Sequence, residues 1–261
     1  LDEENDMTAE PAYQMDLKDG SITVYIGANG KQYVQQGDNE AQQRGNLYIT
    51  TNGSPTTNTL TIEGGTIGAK VTLYNANINA SGAAVSVSGN VELVIEGTNT
   101  LHSGTDHAGV EKADDIGTLT ISGPGTLEAY GGQGGAGIGS GSQKGCSNIV
   151  IESGTITAHG GEWGAGIGSG NVGGSGNAGV LGGSNITIND GDVTAYGGSE
   201  AAGIGGGFKG NGKDITINGG TVRAESCDET GSTAAIGGGR WDGKGENIQI
   251  TGGDVTVKSG T

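Results

Sequence analysis

Large apolar side chains are scarce in this chain. Aromatic residues make up 4% of it, with a single Phe and two Trp, and hydrophobic residues reach only 32%. A globular core of large interdigitated side chains is therefore not what this sequence builds. Proline is nearly missing, at 3 residues, and Gly does not recur at every third place, which excludes a collagen triple helix. The two cysteines, Cys146 and Cys227, lie far apart and outside any metal-ligand spacing. Two cysteines make no disulfide framework, so isolated thiols are the plainer expectation and one structural disulfide the alternative. Positive charge is also short. Twelve basic residues face 29 acidic ones, for a net charge of −17. Nucleic-acid phosphates and anionic membrane surfaces repel such a chain, so neither is expected as a partner. No apolar run approaches the ~20 residues of a membrane-spanning helix, so no membrane insertion is expected. The chain opens at Leu1 on an acidic stretch without a signal-peptide pattern, which reads as the mature part of a longer, secreted, multidomain protein.

What is abundant is glycine, with 58 residues. It is not spread at random, as a disordered tract would allow, but interleaved with short β-branched segments. The string Gly135-Ala136-Gly137-Ile138-Gly139 returns as Gly164-Ala165-Gly166-Ile167-Gly168 and as Ala201-Ala202-Gly203-Ile204-Gly205, and a fourth time around Ala234-Ala235-Ile236. A weaker early copy is Ala108-Gly109-Val110. An Ile-x-Ile element follows each copy, at Leu119, Ile149, Ile186, Ile215 and Ile248. A third element follows a Gly turn, beginning at Thr126, Thr155, Asp192, Thr221 and Asp254. The period is about 30 residues.

Each element alternates apolar and polar residues, the signature of a half-buried strand. Three half-buried strands per repeat need a shared interior, and coiling the chain so that equivalent strands stack in parallel supplies it. The expected fold is therefore all-β, a right-handed parallel β-helix with three short strands per rung. Its core reads as columns: Leu119, Ile149, Ile186, Ile215, Ile248; Leu127, Ile156, Val193, Val222, Val255; and Val110, Ile138, Ile167, Ile204, Ile236. The small column Ala108, Ala136, Ala165, Ala202, Ala234 predicts a thin cross-section. The glycines are expected to supply positive-φ turns. Asn or Asp recurs at 148, 185, 214 and 247, where stacked side chains are expected to hydrogen-bond along the axis. Residues 1–20 read as an acidic linker, 21–70 as an N-terminal cap with the first rungs, and 71–261 as the helix proper.

Candidate ligand-facing residues follow from the same register. Tyr130, His159 and Tyr196 end the third strand of successive repeats and should form a row of flat rings, with Trp163 just beyond. Aromatic faces suit the C–H faces of sugar rings, so a linear row suits a linear glycan. The plainer alternative is a set of turn residues covering the ends of the core. A second candidate edge holds Phe208, Arg240 and Trp241, where other repeats have Ser142 and Asn171. Calcium is the expected cofactor, with Asp106, Glu111, Asp114 and Asp115 as one candidate cluster and Asp190 with Asp192 as another, although no EF-hand or β-roll calcium motif is present. No convergent catalytic set stands out, and the Gly strings lack the Lys-Ser/Thr ending of a phosphate loop.

The opening Asp19-Gly20-Ser21-Ile22-Thr23-Val24, the stretch Val71-Thr72-Leu73-Tyr74-Asn75-Ala76-Asn77-Ile78 and the Gly-Ala-Gly-Ile-Gly repeats carry a resemblance. Over residues 19–258 the chain resembles the carbohydrate-binding β-helix proteins secreted by gut and plant-wall-degrading bacteria, whose fold is similar to pectate lyases. That resemblance implies a non-catalytic module at a bacterial surface or outside the cell, binding acidic sugar polymers such as polygalacturonate with calcium. The alternatives are a structural or adhesin stalk without glycan binding, and a polysaccharide lyase or glycoside hydrolase.

Overall fold

The computed structural model describes residues 12–112, 116–174, 181–227 and 232–260. They form a right-handed parallel β-helix of three sheets, with nine strands in sheet A, ten in sheet B and eight in sheet C. The chain visits the sheets in a fixed cycle. Cys146–Ile151 lies in sheet A, Thr155–His159 in sheet C and Ile167–Gly168 in sheet B, after which Gly182–Ile188 re-enters sheet A one step further along. The strands of sheet B shrink to two residues in the Gly-rich coils, as in Ile138–Gly139 and Ile204–Gly205.

The expected columns are present in register. Leu119 pairs with Ile149, Ile149 with Ile186, Ile186 with Ile215 and Ile215 with Ile248. The Leu127 column runs through Ile156, Val193 and Val222 to Val255, and the Val110 column through Ile138, Ile167 and Ile204 to Ile236. Their members up to Ile215, Val222 and Ile204 are fully buried. Each such side chain contributes about 1.5–3 kcal/mol by leaving water. On the last coil no described residue lies above the columns, and Ile248 is 38% and Ile250 51% exposed.

The beginning of the helix differs from expectation. Tyr13–Asp16 is already a strand of sheet A, paired in parallel with Leu47–Thr50, and Leu17 is fully buried. The linker reading therefore fails from residue 13 onward. The short, half-polar strand hid it, but Tyr13 and Met15 pack against the core beside Leu17. Residues 1–11 lie outside the described residues. The cap is a hairpin: Gln32–Gln36 turns back antiparallel on Ile22–Ile26, and Gln42–Gln43 adds a second antiparallel step. It buries Val34 against the core and breaks the parallel edge that another strand could extend.

Glycine serves two purposes here. Some glycines do hold positive φ, as at Gly139 and Gly168. Many others do not, and are there because backbone meets backbone. Gly104, Gly132, Gly161 and Gly198 stack along one corner. A Cβ on Gly161 would sit 1.8 Å from the carbonyl oxygen of Gly132, and one on Gly198 at 1.8 Å from that of Gly161. The positive-φ corners are instead often non-Gly. Asp106, Trp163 and Glu200 occupy one, Gln143, Lys209 and Trp241 a second, and Asn148, Asn185, Asp214 and Asn247 a third. Asn and Asp tolerate that conformation best, which explains their recurrence at the third corner. There the side chains bond along the axis, with Asn185 donating to Asn148 and Asn247 to Asp214.

Gly161→Ala should lower unfolding stability by about 3 kcal/mol, since adjacent coils must part to admit a methyl group. Gly82→Ala, where a Cβ meets nothing within 4 Å, should change it by less than ~0.5 kcal/mol. Equal urea midpoints for the two variants would refute the close-approach account.

Candidate functional site

The outward side of sheet C carries the candidate residues. Its strands alternate, so the apolar residues of Thr126–Tyr130 point inward while Thr126, Glu128 and Tyr130 point out. Stacking then makes three parallel rows. The row at the strand ends reads Asn79, His102, Tyr130, His159, Tyr196, Glu225, Lys258. The middle row carries Thr100, Glu128, Thr157, Thr194, Arg223 and Thr256, and the first row includes Thr126, Thr155, Asp192 and Thr221.

Four rings of the end row stack face to face. Centroids are 4.3 Å apart for His102–Tyr130, 4.5 Å for Tyr130–His159 and 4.9 Å for His159–Tyr196, with interplanar angles of 10°, 1° and 17°. Such contacts are worth about 0.5–1.5 kcal/mol each. The expected row therefore exists and is one ring longer than the sequence reading made it. Its use differs from expectation, because the ring faces expected to meet sugars cover one another at strand spacing. What the row presents outward is polar ring edges, together with the far sides of its two terminal rings, His102 toward Asn79 and Tyr196 toward Glu225, against which no ring lies among the described residues.

His102 was missed although its strand, Thr98-Asn99-Thr100-Leu101-His102, repeats the Thr-x-Thr-x-His of Thr155–His159. The obstacle was Asn99, a polar residue in an inward position. It is fully buried, accepts from the Ala76 N–H and donates to the carbonyls of Glu96 and Thr126, so its burial is satisfied.

Charge acts on the row at two places. The Tyr130 hydroxyl donates to Glu128 at 3.3 Å, and burial first, then the Glu128 charge and that bond, push its pKa above the ordinary value. Burial pulls His159 below the usual imidazole range; Glu128 pulls the other way, and His102 adds to the lowering. His159 is thus a neutral ring at neutral pH.

Beyond Tyr196 the row turns ionic. A recess of about 440 Å3 opens there, lined by His159, Tyr196, Gly197, Glu225, Ser226, Cys227 and Lys258. Arg223 is ion-paired to Glu225, its neighbour but one on the same strand. No ion pair holds Lys258 among the described residues. Cys227 is exposed, Cys146 is buried in sheet A, and no disulfide joins them, so the disulfide alternative fails.

The other candidates lie elsewhere. Trp163 is half-buried on the turn between sheets C and B, its neighbour Glu162 held by Gln133 at 2.9 Å. Phe208 and Trp241 sit on the turn between sheets B and A. The two turns touch through the main chain, where the Phe208 N–H donates to the Trp163 carbonyl at 2.8 Å. Trp241 is 67% exposed, with the Arg240 guanidinium 5.2 Å from its ring centre and Arg240 itself paired to Glu200. Neither Phe208 nor Trp241 lines the sheet C recess.

The described members of the expected calcium clusters are engaged as follows. Glu111 is buried and engaged by His107 at 2.8 Å, by Lys144 at 3.6 Å and by the Ala108 N–H at 3.2 Å, a set of donors that satisfies a carboxylate without a metal. Asp106 is exposed on its turn, while Asp114 and Asp115 lie outside the described residues. Asp190 accepts the Gly191 N–H, and Asp192 stands in the outer row between Thr155 and Thr221. Among the described residues no three His, Cys, Asp or Glu side chains come together to hold a metal.

Residues 119–142, 149–171, 186–208 and 215–240 each match the family model described as Beta helix repeat. These four segments are consecutive coils, each running from sheet A through sheet C to the turn after sheet B. No curated protein and no solved structure matches the chain.

Because His159 binds its proton less tightly folded than unfolded, acidification should favour unfolding. Its contribution is intact above about pH 6.5 and is lost as the pH falls toward the lowered folded value. Replacing it by another stacking ring, His159→Phe, should flatten the stability profile between about pH 7 and 5. Thermal midpoints that fall equally in both proteins over that interval would refute the assignment.

Proposed function

We propose that the outer face of sheet C binds a linear glycan without cleaving it, as the binding surface of a protein working outside the cell or at its surface. The observation that carries this is the recess beyond Tyr196, where one aromatic face and one ammonium without an ion-pair partner among the described residues meet on a hydroxyl-rich sheet. A pyranose ring resting on Tyr196 would place a carboxylate substituent toward Lys258, so an acidic sugar is the favoured class. Lys258 gives this contact without a metal. Calcium enters the proposal only as a bridge between glycan carboxylates and exposed acids such as Asp192.

A non-catalytic role is supported by the recess chemistry. Glycoside hydrolysis works through a pair of carboxyl groups, and Glu225, paired with Arg223, is the one carboxylate among the described lining residues. A second reading, a stalk that only holds other domains apart, is favoured by the mutual stacking of His102, Tyr130, His159 and Tyr196, which strengthens the coil whatever binds outside it.

Calorimetric titration of the whole chain with oligogalacturonides, with and without chelator, separates the readings. Tyr196→Ala and Lys258→Gln should each weaken binding about tenfold. Tyr130→Ala should weaken it less, because both faces of that ring are covered. If no linear glycan, acidic or neutral, binds in either condition, the stalk reading replaces this one.

A further inference from the structure

The N-terminal end of the same face has a second recess. Ala69–Tyr74 leaves sheet A and turns at Asn75, with φ 47°, into Asn77–Asn79 of sheet C; one coil earlier the chain turns at Asn52, with φ 50°. These two turns and the strand Thr98–His102 surround a recess of about 330 Å3. Its polar lining is Asn52, Tyr74, Asn75, Asn77, Thr98 and Thr100, without one ionisable acid or base of ordinary range near neutrality.

Internal bonds fix how the amides face. Asn75 accepts the Thr98 N–H through Oδ1 at 3.0 Å, Asn77 donates through Nδ2 to the Gly53 carbonyl at 3.4 Å, and Asn52 donates through Nδ2 to Asp16 at 3.0 Å. That leaves the Asn75 Nδ2 donor, the Oδ1 acceptors of Asn52 and Asn77, and the hydroxyls of Tyr74, Thr98 and Thr100 without protein partners among the described residues. Uncommitted donors and acceptors in balance, around one aromatic ring, match a polyol that has both hydroxyls and C–H surface. No cation among the described lining residues pairs with a carboxylate there, on a chain of net charge −17.

We infer that this recess is a second subsite, for an uncharged glycosyl residue. This rests on the reading of the outer face of sheet C as the glycan surface and narrows its ligand. From Thr98–His102 to Thr221–Cys227 is four strand steps, about 19 Å along the axis, and the path runs diagonally from the first rows at Thr98 and Thr100 to the strand-end row at Tyr196 and Lys258. One extended chain can therefore occupy both recesses, with a neutral residue at Tyr74 and an acidic one at Tyr196 and Lys258. The ligand class is a linear glycan carrying uncharged and uronic residues together, and two-site engagement makes affinity depend on chain length.

The probes are galacturonide oligomers of two and eight residues, fully de-esterified or half methyl-esterified, titrated into the whole chain. The half-esterified octamer should bind at least about tenfold tighter than the de-esterified octamer or either dimer. Tyr74→Ala and the milder Thr98→Ala should each remove most of the advantage of the half-esterified octamer, with circular dichroism confirming the fold. If Tyr196→Ala weakens binding while both N-terminal variants leave the octamer preference intact, the second subsite is wrong and the glycan surface stands. If no variant at either recess alters binding, the surface itself is wrong and this inference falls with it.

Discussion

Main-chain hydrogen bonds running along the axis hold each coil to its neighbours, and they fix equivalent positions about 4.8 Å apart. Everything else must be compatible with that spacing. Each side chain lies against its own counterparts, so only residues that tolerate self-stacking can recur. Ile on Ile fills the interior at Ile138, Ile167 and Ile204. Ring on ring works at Tyr130 and His159, and amide on amide at Asn148 and Asn185. Like charges do not stack in the outer rows: Glu128 lies between Thr100 and Thr157, Asp192 between Thr155 and Thr221, and Glu225 between Tyr196 and Lys258. A strongly acidic chain thus keeps its helix free of repulsive ladders.

The same spacing explains why the ring row serves the fold before it serves a ligand. Rings held at strand distance spend their faces on each other, and only the two ends of the row, at His102 and Tyr196, have a face without a ring against it. The proposed contacts therefore fall where the repeat changes: at Glu225 and Lys258, where rings give way to charges, and at Asn52 and Asn75, where turns open beside the outer face. The uniform middle of sheet C is scaffold between them.

The interior was legible in the sequence because copies in identical register repeat the same short word, and the buried Ile and Val columns appear as read. Legibility failed where the repeat fails. Tyr13–Asp16 has no counterpart motif and joins sheet A through its backbone. His102 was hidden by Asn99, whose inward amide breaks the apolar alternation yet is fully bonded. The row of rings was legible from spacing, but not the loss of its faces, since that depends on how far apart equivalent rings lie. The recess around Tyr74 is assembled from turns of successive coils, and no linear pattern announces it. Glycine was legible as a requirement and misread in cause. At Gly161 the decisive fact is the carbonyl of Gly132 on the neighbouring coil, not the local φ.

Because each coil bonds only to the next, the two recesses on sheet C are separated by a whole number of identical steps. Duplication or loss of one repeat would slide them apart or together by a single increment while leaving both linings untouched. Under the proposed two-recess reading the repeat number, rather than any side chain, would set the length the protein measures.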